Sequence, residues 1–521
     1  MRLIRLSRRP LRHPRSVRAA SVAILCAASF TLGMGTPQGI AREAPSSPSS
    51  PTSPTSTSPT LSTSSTSTSP TSTSPTSTAP PPAAGCPAAD PKKWPFGVVC
   101  GRDFNVPSPP ESPSLIPTIA TKTTTRIWGT DPFQQAVSVT QHLFPAALPS
   151  TVNTPTTPAT AADRSWGLTL VTPDDPLVGI SATPLIHFPD AAPILFVTKD
   201  GIPKVTLDEI KRMGVTGIVR ANKIDAFLVG AAANPGVRAQ LTAIGMKFVE
   251  VTGKDVFELS NNVDTLYGRI SNPDEGVPQM ETSASTGGNG AENVLIGSAD
   301  GKDWQFFLPA THWASHMPSG MLWVHRDSIP AATVEALKRR NGRALIYVFG
   351  GAPQVSASVI KKLNTYGSVT RVDADDAVAF NTPPTNTPEN TALAFSKMWD
   401  PTGMVGWNIV GPGHGFTLVN INNWQGAVVS APLSHLGFHA PLLLTDSSTT
   451  LPSFLEGYFT SVAPTFLTTP ADGPYNMTFL VGDWRSLTWP LQAHIDNISE
   501  MANRRVWIQA TGGRYSDSGQ P

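Results

Sequence analysis

The sequence predicts an α/β protein whose ordered body consists of three tandem βαβ-type modules with parallel sheets. Short, continuous apolar runs in the body are typical of parallel strands that are covered on both faces. Between them lie amphipathic segments that begin at proline and end at glycine, as helices do. The same order of elements occurs three times within the 521 residues. Because a repeat reveals the architecture before any single motif does, we treat the body as one repeated unit.

The first 41 residues have the composition of an export signal. Seven arginines precede an apolar stretch at 19–34, and small residues follow at 39–41, which is the order of regions in a signal peptide. An uncleaved membrane anchor is an alternative, and the pair Arg8 and Arg9 leaves a twin-arginine export route open. Removing these residues takes 38 basic residues to 31 against 37 acidic ones, a net charge of about −6. A net-negative body argues against nucleic acid as the main partner, since phosphate binding depends on clustered Lys and Arg.

Two segments separate the leader from the body. Residues 42–84 are rich in Ser, Thr and Pro and are predicted to form a disordered linker, because they cannot bury enough apolar surface to offset the entropy of ordering. Residues 85–123 are predicted to form an irregular, proline-rich collar. Its two cysteines, Cys86 and Cys100, most simply form a disulfide in an exported chain. A redox or metal role is the less favoured alternative, since no CxxC spacing accompanies the pair.

The three predicted modules occupy residues 124–250, 251–370 and 371–505, and a flexible tail follows at 506–521. Each module opens on a segment that leads into a helix, and an apolar strand comes next. A helix ending in histidine, a second strand, a proline-led helix, a strand ending in a small-residue turn and a last helix complete the unit. The predicted first strands are LTLVTP from Leu168, VLIGSA from Val294 and WNIVGP from Trp407, and the second strands are PILFVTKD from Pro193, GMLWVHRD from Gly320 and PLLLTDSS from Pro441.

Three groups of residues carry a resemblance to a known family. They are the opening signature Arg126, Ile127, Gly129 and Asp131, the strand Pro441 to Asp446, and the turn Gly350 and Gly351 before Val355 and Ser356. The pattern resembles the cell wall-binding repeat 2 family of Gram-positive surface proteins, over about residues 124–500. The resemblance implies three modules around a pseudo-threefold axis, held non-covalently on the wall through an anionic wall polymer.

The sequence departs from the family pattern in two ways. The arginine that usually follows the opening aspartate is Pro132, Val256 and Ala377 here. The acidic residue expected at the start of the second helix is Gln305 or Gln425 in two copies. If the family residues bind polymer, these changes imply weaker binding or a different ligand.

Several residues are candidates for binding a polymer. Three histidines in register could meet near one axis, acids at strand ends lie where α/β sheets place ligand sites, and tryptophans could stack on sugars. Each has a plainer interpretation as a helix cap, a histidine beside the helix dipole, a solvated loop acid or a core residue. The candidates are Arg126, Asp131, Asp255, Arg371, Asp376, His187, His316, His435, Asp303, Trp304 and Trp424.

Motifs for catalysis or cofactor binding are weak. The glycines from Gly411 to Gly415 follow the predicted strand WNIVGP, but a phosphate loop would need a third glycine or a lysine, so a turn with positive φ is favoured. His312 and His316 could share a helix face, yet no Glu follows His312 as in HExxH, and a surface pair is the favoured interpretation. The sequence contains no GxSxG. We therefore expect no enzyme activity, no cofactor and no metal.

The expected function is that of a secreted protein retained at the cell wall or cell surface, where it binds an anionic wall polymer or another envelope glycopolymer. Membrane association is expected only through a leader that stays uncleaved. One alternative is an exported hydrolase-like enzyme or solute-binding protein that uses the loop acids Asp174, Asp175, Asp300 and Asp303 at strand C-termini. A second alternative is a structural surface-layer protein.

Overall fold

The computed structural model describes residues 98–99, 116, 118–144, 165–215, 217–272, 276, 278, 292–373, 386–400, 405–435, 438–472 and 474–503. The predicted signal peptide, the linker, Cys86, Cys100, Asp376 and the tail at 506–521 lie outside these residues. All the described residues belong to the compact unit Ala79–Pro521. Within the described ranges, every helix is too short or too polar to cross a membrane.

The fold is mixed α/β, and three of its sheets each contain four parallel strands in the same spatial order. Elements are numbered β1–β16 and α1–α12 in chain order. The prediction of an α/β fold with parallel sheets is therefore confirmed. The first sheet has the order β7 (Phe248–Val251), β6 (Ala226–Val229), β4 (Leu168–Val171), β5 (Ile194–Phe196). The second has β11 (Gly367–Val372), β10 (Ala344–Phe349), β8 (Glu292–Ser298), β9 (Ser319–Val324). The third has β3 (Thr124–Ile127), β15 (Met477–Val481), β12 (Gly415–Asn420), β13 (Leu442–Thr445).

Strand β3, which opens the first predicted module, lies in the sheet of the third module. Strand β3, at the start of the body, pairs in parallel with β15 near its end, with Thr125 opposite Phe479. Strand β7 pairs with β6 in the first sheet, and the chain then continues into the second. The connectivity of the three sheets is therefore cyclic, and the two ends of the body are joined by backbone hydrogen bonds. The pseudo-threefold axis and the module boundaries stay predictions.

The collar, which was expected to be irregular, contains two short strands in its described residues. Strand β1 (Val98–Val99) pairs antiparallel with β7, and β2 (Thr118–Ala120) pairs antiparallel with β3. An edge strand leaves a row of backbone N–H and C=O groups unpaired, and these short β-branched segments satisfy part of that row in the first and third sheets. A separate small sheet pairs β14 (Thr465–Phe466) with β16 (Ala502–Asn503).

Helices connect the strands in the predicted order. The helix after each opening segment packs on an outer strand of a sheet, the one given last in the orders above. These contacts are α1 on β5, α5 on β9 and α9 on β13. The opening helices are α1 (Pro132–Leu143), α5 (Val256–Ser271) and α9 (Pro388–Lys397). The central helices are α2 (Pro176–Ser181), α6 (Trp304–His316) and α10 (Trp424–Val429). The proline-led helices are α3 (Lys204–Met213), α7 (Ala331–Lys338) and α11 (Ser453–Ser461), and the last are α4 (Pro235–Ala243), α8 (Ala357–Leu363) and α12 (Trp489–Ile498).

The prediction that the first strand of the third module begins at Trp407 was wrong. The segment from Trp407 is irregular, because Asn408 has a φ of +54°, a left-handed conformation that a strand cannot contain. The backbone N–H of Asn408 donates to the carbonyl of Met398, just after α9, and that of Ile409 donates to Ser396 of α9, instead of to a neighbouring strand. The strand of this module is β12, which follows the glycine-rich loop instead of preceding it.

The central helices α2, α6 and α10 pack against one another and join the three modules. One apolar core continues through all three sheets and contains Leu170, Leu295 and Val419. Trp323 of the second sheet donates its indole N–H to Ser181 Oγ of α2 at 2.8 Å, a buried polar contact between modules. The end of this helical centre is where the predicted histidines lie.

Candidate functional site

The predicted histidines meet at the C-terminal ends of the three central helical segments. The ring centroids of His187 and His435 are 4.8 Å apart, and His316 lies 4.8 Å from His439. Trp407 stacks on His316 with the ring centroids 5.0 Å apart. We call His187, His316, His435 and His439 the histidine junction. The sequence therefore identified residues that come together from three separate modules.

Two members of the histidine junction, His187 and His316, are uncharged at neutral pH. Burial, together with repulsion from the nearby His435, lowers the pKa of His187 to about 3. Burial and repulsion from His439 likewise lower the pKa of His316 to about 3. His187 Nδ1 lies 2.8 Å from the Tyr267 hydroxyl. Because His187 and His316 are neutral, these two rings offer an anionic polymer no positive charge.

His312 and His316 do not form the surface pair that was expected. His312 is fully buried, and its Nδ1 lies 2.9 Å from the carbonyl oxygen of Ala440. Burial lowers its pKa to about 4. The reason is that α6 lies at the centre of the body and is covered by helical segments of both other modules. Among the described residues, no group of three or more His, Cys, Asp or Glu side chains is placed to hold a metal ion.

The candidate arginines bind the protein's own backbone. Arg126 is 1% exposed, and its Nη1 donates to the carbonyls of Gly482 and Asp483, both at 3.1 Å. Burial lowers the pKa of Arg126 to about 10, so it stays charged at neutral pH. Arg371 makes the equivalent contact with the carbonyl of Gly350 at 2.5 Å. Both guanidinium groups fasten their own strand to the turn after the neighbouring strand, and Arg126 is too buried to contact a ligand.

The candidate acids have local roles. Asp131 accepts from the backbone N–H of Gln134 at 2.9 Å and Asp255 from that of Glu258 at 2.8 Å, so both cap helices as the spacing indicated. Asp303 accepts from Ser298 Oγ at 2.9 Å.

The two candidate tryptophans belong to the interior. Trp424 is 7% exposed and lies in the main core, where its ring centroid is 6.0 Å from that of Phe196. A Cβ at Gly179 would lie 2.5 Å from this indole, which shows how closely α2 packs on it. Trp304 is partly buried against the same core. Neither indole presents an open face for a sugar.

The other strand-end acids are also engaged locally. Asp175 caps α2 through the N–H of Leu177 at 2.9 Å. Asp300 accepts from the N–H of Arg326 at 2.8 Å and lies 2.6 Å from His325 Nδ1. Asp175 follows a strand of the first sheet and Asp300 follows a strand of the second, so the two acids do not form one site. Asp174 is exposed.

The glycine-rich loop before β12 is a turn. Gly413 has a φ of +96°, as the favoured interpretation predicted. Asn476 Oδ1 accepts from the N–H groups of Gly413 at 2.7 Å and His414 at 3.1 Å. The backbone donors that would cradle a phosphate are thus already bonded to a side chain.

A pair of tryptophans, which sequence reasoning missed, lies at the C-terminal edge of the third sheet. Trp128 directly follows β3, and Trp484 follows the adjacent strand β15 after Gly482 and Asp483. Their ring centroids are 4.5 Å apart at an interplanar angle of 62°. Trp484 is 58% exposed. A tryptophan after each of two strand ends is a detectable signal. The pairing of these strands was not anticipated, because the paired residues Thr125 and Phe479 are 354 residues apart in sequence.

Comparison with known proteins gives structural likeness alone. No family model and no curated protein matches the chain. Among solved structures, the chain is similar to Cwp8 from Clostridium difficile, with a TM-score of 0.50 and 16% identity over 73% of this chain and 52% of that one. It is also similar to Cwp6 from Clostridium difficile, with a TM-score of 0.52 and 16% identity over 77% of this chain and 51% of that one. The chain thus spans about half the length of each structure.

Proposed function

We propose that this protein is a surface protein that binds the cell envelope non-covalently through its three-module body and recognises an anionic wall polymer. The observation that carries the proposal is the cyclic arrangement of three like-ordered sheets, in a fold shared with Cwp8 and Cwp6 over about three quarters of the chain. The sequence resemblance to the cell wall-binding repeat 2 family supports the same conclusion independently. In this proposal the protein is exported and the linker holds the body away from the site of export.

The local contacts of the strand-end acids favour a binding role over catalysis. Hydrolysis with two carboxylates needs both groups to face one substrate bond. Here Asp175 caps a helix in the first sheet, and Asp300 binds a backbone N–H and His325 in the second. We therefore infer that the body binds its polymer without cleaving it.

Sedimentation with isolated cell walls tests the proposed function. The purified protein is mixed with walls of the producing organism, either native or extracted to remove anionic polymers, and the pellet is assayed. We expect the protein to pellet with native walls and to stay in the supernatant with extracted walls. Failure to pellet with any wall preparation would refute the proposal. Light scattering without walls is the control for self-assembly, since arrays would pellet alone and would favour a surface-layer protein.

A further inference from the structure

We propose that Trp128, Trp484 and Arg485 form a binding site for an acidic sugar residue of a glycan. We call these three residues the tryptophan edge. The inference rests on the proposed function for the source of the glycan, because it assigns one part of the body to contact with the wall polymer. Its argument uses the position, exposure and chemistry of the three side chains.

The tryptophan edge lies where parallel α/β sheets place their ligands. Ile127 of β3 and Val481 of β15 are the last paired residues of these adjacent strands, and the two tryptophans lie on the loops that follow. Loops at the carboxyl ends of parallel strands project from the same edge of a sheet, which is where ligands of open α/β sheets bind. Both aromatic rings therefore occupy one strand-end surface.

The exposure of Trp484 indicates a surface that a ligand would cover. Tryptophan is highly buried on average, yet Trp484 is 58% exposed. Its contact with Trp128 is an edge arrangement, with ring planes 62° apart, and such contacts stabilise aromatic pairs. Trp484 is therefore held in place while much of its indole stays in water. Contiguous exposed apolar surface marks interaction sites, whereas singly exposed residues are normal, and the contact with Trp128 makes Trp484 part of a contiguous aromatic surface.

The chemistry of the site fits a sugar that carries a negative charge. The face of an indole is electron-rich and attracts the polarised C–H groups on the flat side of a pyranose ring. Arg485 follows Trp484 directly, its side chain is 75% exposed, and its Nε lies 3.6 Å from Asp483 Oδ2. A guanidinium group binds a carboxylate or phosphate through two parallel hydrogen bonds. Indole and guanidinium together therefore match a pyranose with an acidic substituent.

The other two sheets show that the fold does not require these tryptophans. The turn glycines Gly482, Gly230 and Gly350 all have positive φ, at +119°, +60° and +92°, which aligns the three turns residue by residue. Two residues after the glycine, the third sheet has Trp484, whereas the first has Ala232 and the second Ala352. The position of Trp128 is occupied by Thr252 in the first sheet and Asp373 in the second. The same backbone thus forms without aromatic residues, so the pair has a role beyond folding.

The test compares three variants of the full protein: Trp484→Ala, Arg485→Ala and, as a matched control, Trp399→Ala, whose indole is 53% exposed elsewhere on the body. The probes are an oligosaccharide that contains glucuronic acid and the same oligosaccharide with its carboxyl groups reduced to alcohols, and binding is followed by calorimetry. We expect Trp484→Ala to weaken binding of the acidic probe by about tenfold or more, as for a buried aromatic anchor. Arg485→Ala should weaken binding of the acidic probe and leave binding of the reduced probe unchanged.

Further measurements separate this inference from the proposed function. Trp484→Phe should retain part of the affinity because it keeps an aromatic face, and thermal unfolding should show that all variants fold. Equal affinities for Trp484→Ala and Trp399→Ala, or no binding of the acidic probe by the wild type, would overturn the inference. If Trp484→Ala also pellets with walls as the wild type does, the body binds walls through another surface, and only the tryptophan edge is refuted. A protein partner in place of a glycan would leave both probes unbound.

Discussion

The first and third sheets contain the same turn, but the strand beside it carries opposite charges: Glu250 on β7 in the first sheet and Arg126 on β3 in the third. In the third sheet, Arg126 is buried on β3 and donates directly to the carbonyls of Gly482 and Asp483. In the first sheet the equivalent residue is Glu250, which binds Arg238 of α4 at 2.9 Å. The Arg238 guanidinium then donates to the carbonyl of Ala233 at 3.1 Å. A guanidinium reaches the turn in both sheets, but it comes from different elements.

This difference shows that the two sheets share the backbone geometry of the turn and its need for a hydrogen-bond donor. They do not share the residue that supplies the donor. Arg126 is almost fully enclosed, whereas the side chains of Arg238 and Glu250 are 39% and 26% exposed. Water can therefore replace the contact in the first sheet and cannot do so in the third. The free energy of unfolding should depend on these contacts in proportion to their burial.

Replacing Arg126 by Met should have the largest effect. The substitution fills the same space with an apolar side chain. It leaves the carbonyls of Gly482 and Asp483 and the side-chain oxygen of Gln492 without the donor that Arg126 supplies. Loss of a hydrogen bond to a charged donor costs about 1.5 to 3 kcal/mol, and here the loss also loosens β3, which joins the two ends of the body. We expect a loss of this size in the free energy of unfolding, measured by urea denaturation.

The control for Arg126→Met is Arg326→Met, since the Arg326 side chain is 54% exposed. That change should alter the free energy of unfolding by less than about 0.5 kcal/mol. Equal effects of the two substitutions would contradict the role assigned to burial.

Mild acid should lower the free energy of unfolding by an intermediate amount. It acts on the histidine junction, to which all three modules contribute. The pKa values of His187 and His316 are lowered to about 3 from 6.5, so the unfolded chain binds their protons first. Their contribution to stability is complete above pH 6.5 and is lost as the pH falls toward 3. Between pH 6.5 and about pH 5, one such histidine should lower the free energy of unfolding by on the order of 2 kcal/mol.

Measuring stability against pH for two histidine variants checks this assignment. His316→Gln removes one buried titrating ring and should flatten the decrease below pH 6.5. His494→Gln is the matched control, because the His494 side chain is 41% exposed and lies beside Glu456. Identical pH profiles for both variants would show that the histidine junction does not titrate as inferred.

The sequence predicted the fold well because its signals are local. Apolar runs and proline-led segments located most strands and helices, and the aspartates before α1 and α5 were recognised as caps. The prediction of a strand from Trp407 was wrong because the backbone N–H groups of Asn408 and Ile409 bond to Met398 and Ser396 instead of to a neighbouring strand. Ile409 is nevertheless buried in the apolar core beside the third sheet, as a strand residue or a residue of an irregular segment can be. Apolar composition cannot distinguish those two environments.

The candidate site was predicted less well because burial and long-range pairing decide it. Arg126, His187 and Trp424 look like binding residues in sequence, yet the folded chain encloses them. Trp128 and Trp484 share one edge only because β3 crosses to the sheet formed near the end of the body. A repeat-by-repeat alignment places them in different modules, so their proximity could not be read from either module alone.

The Glu250 and Arg238 contact should have the smallest effect and gives the sharpest test of the comparison. Glu250→Gln keeps the shape of the side chain and removes its charge, so the loss in free energy of unfolding should be a small fraction of that for Arg126→Met. Salt screens partly exposed charges, so the wild type and variant should converge in stability as ionic strength rises. A double-mutant cycle with Arg238→Gln isolates the pair. If the coupling were as large as the Arg126 effect and independent of salt, burial would not be what distinguishes the two sheets.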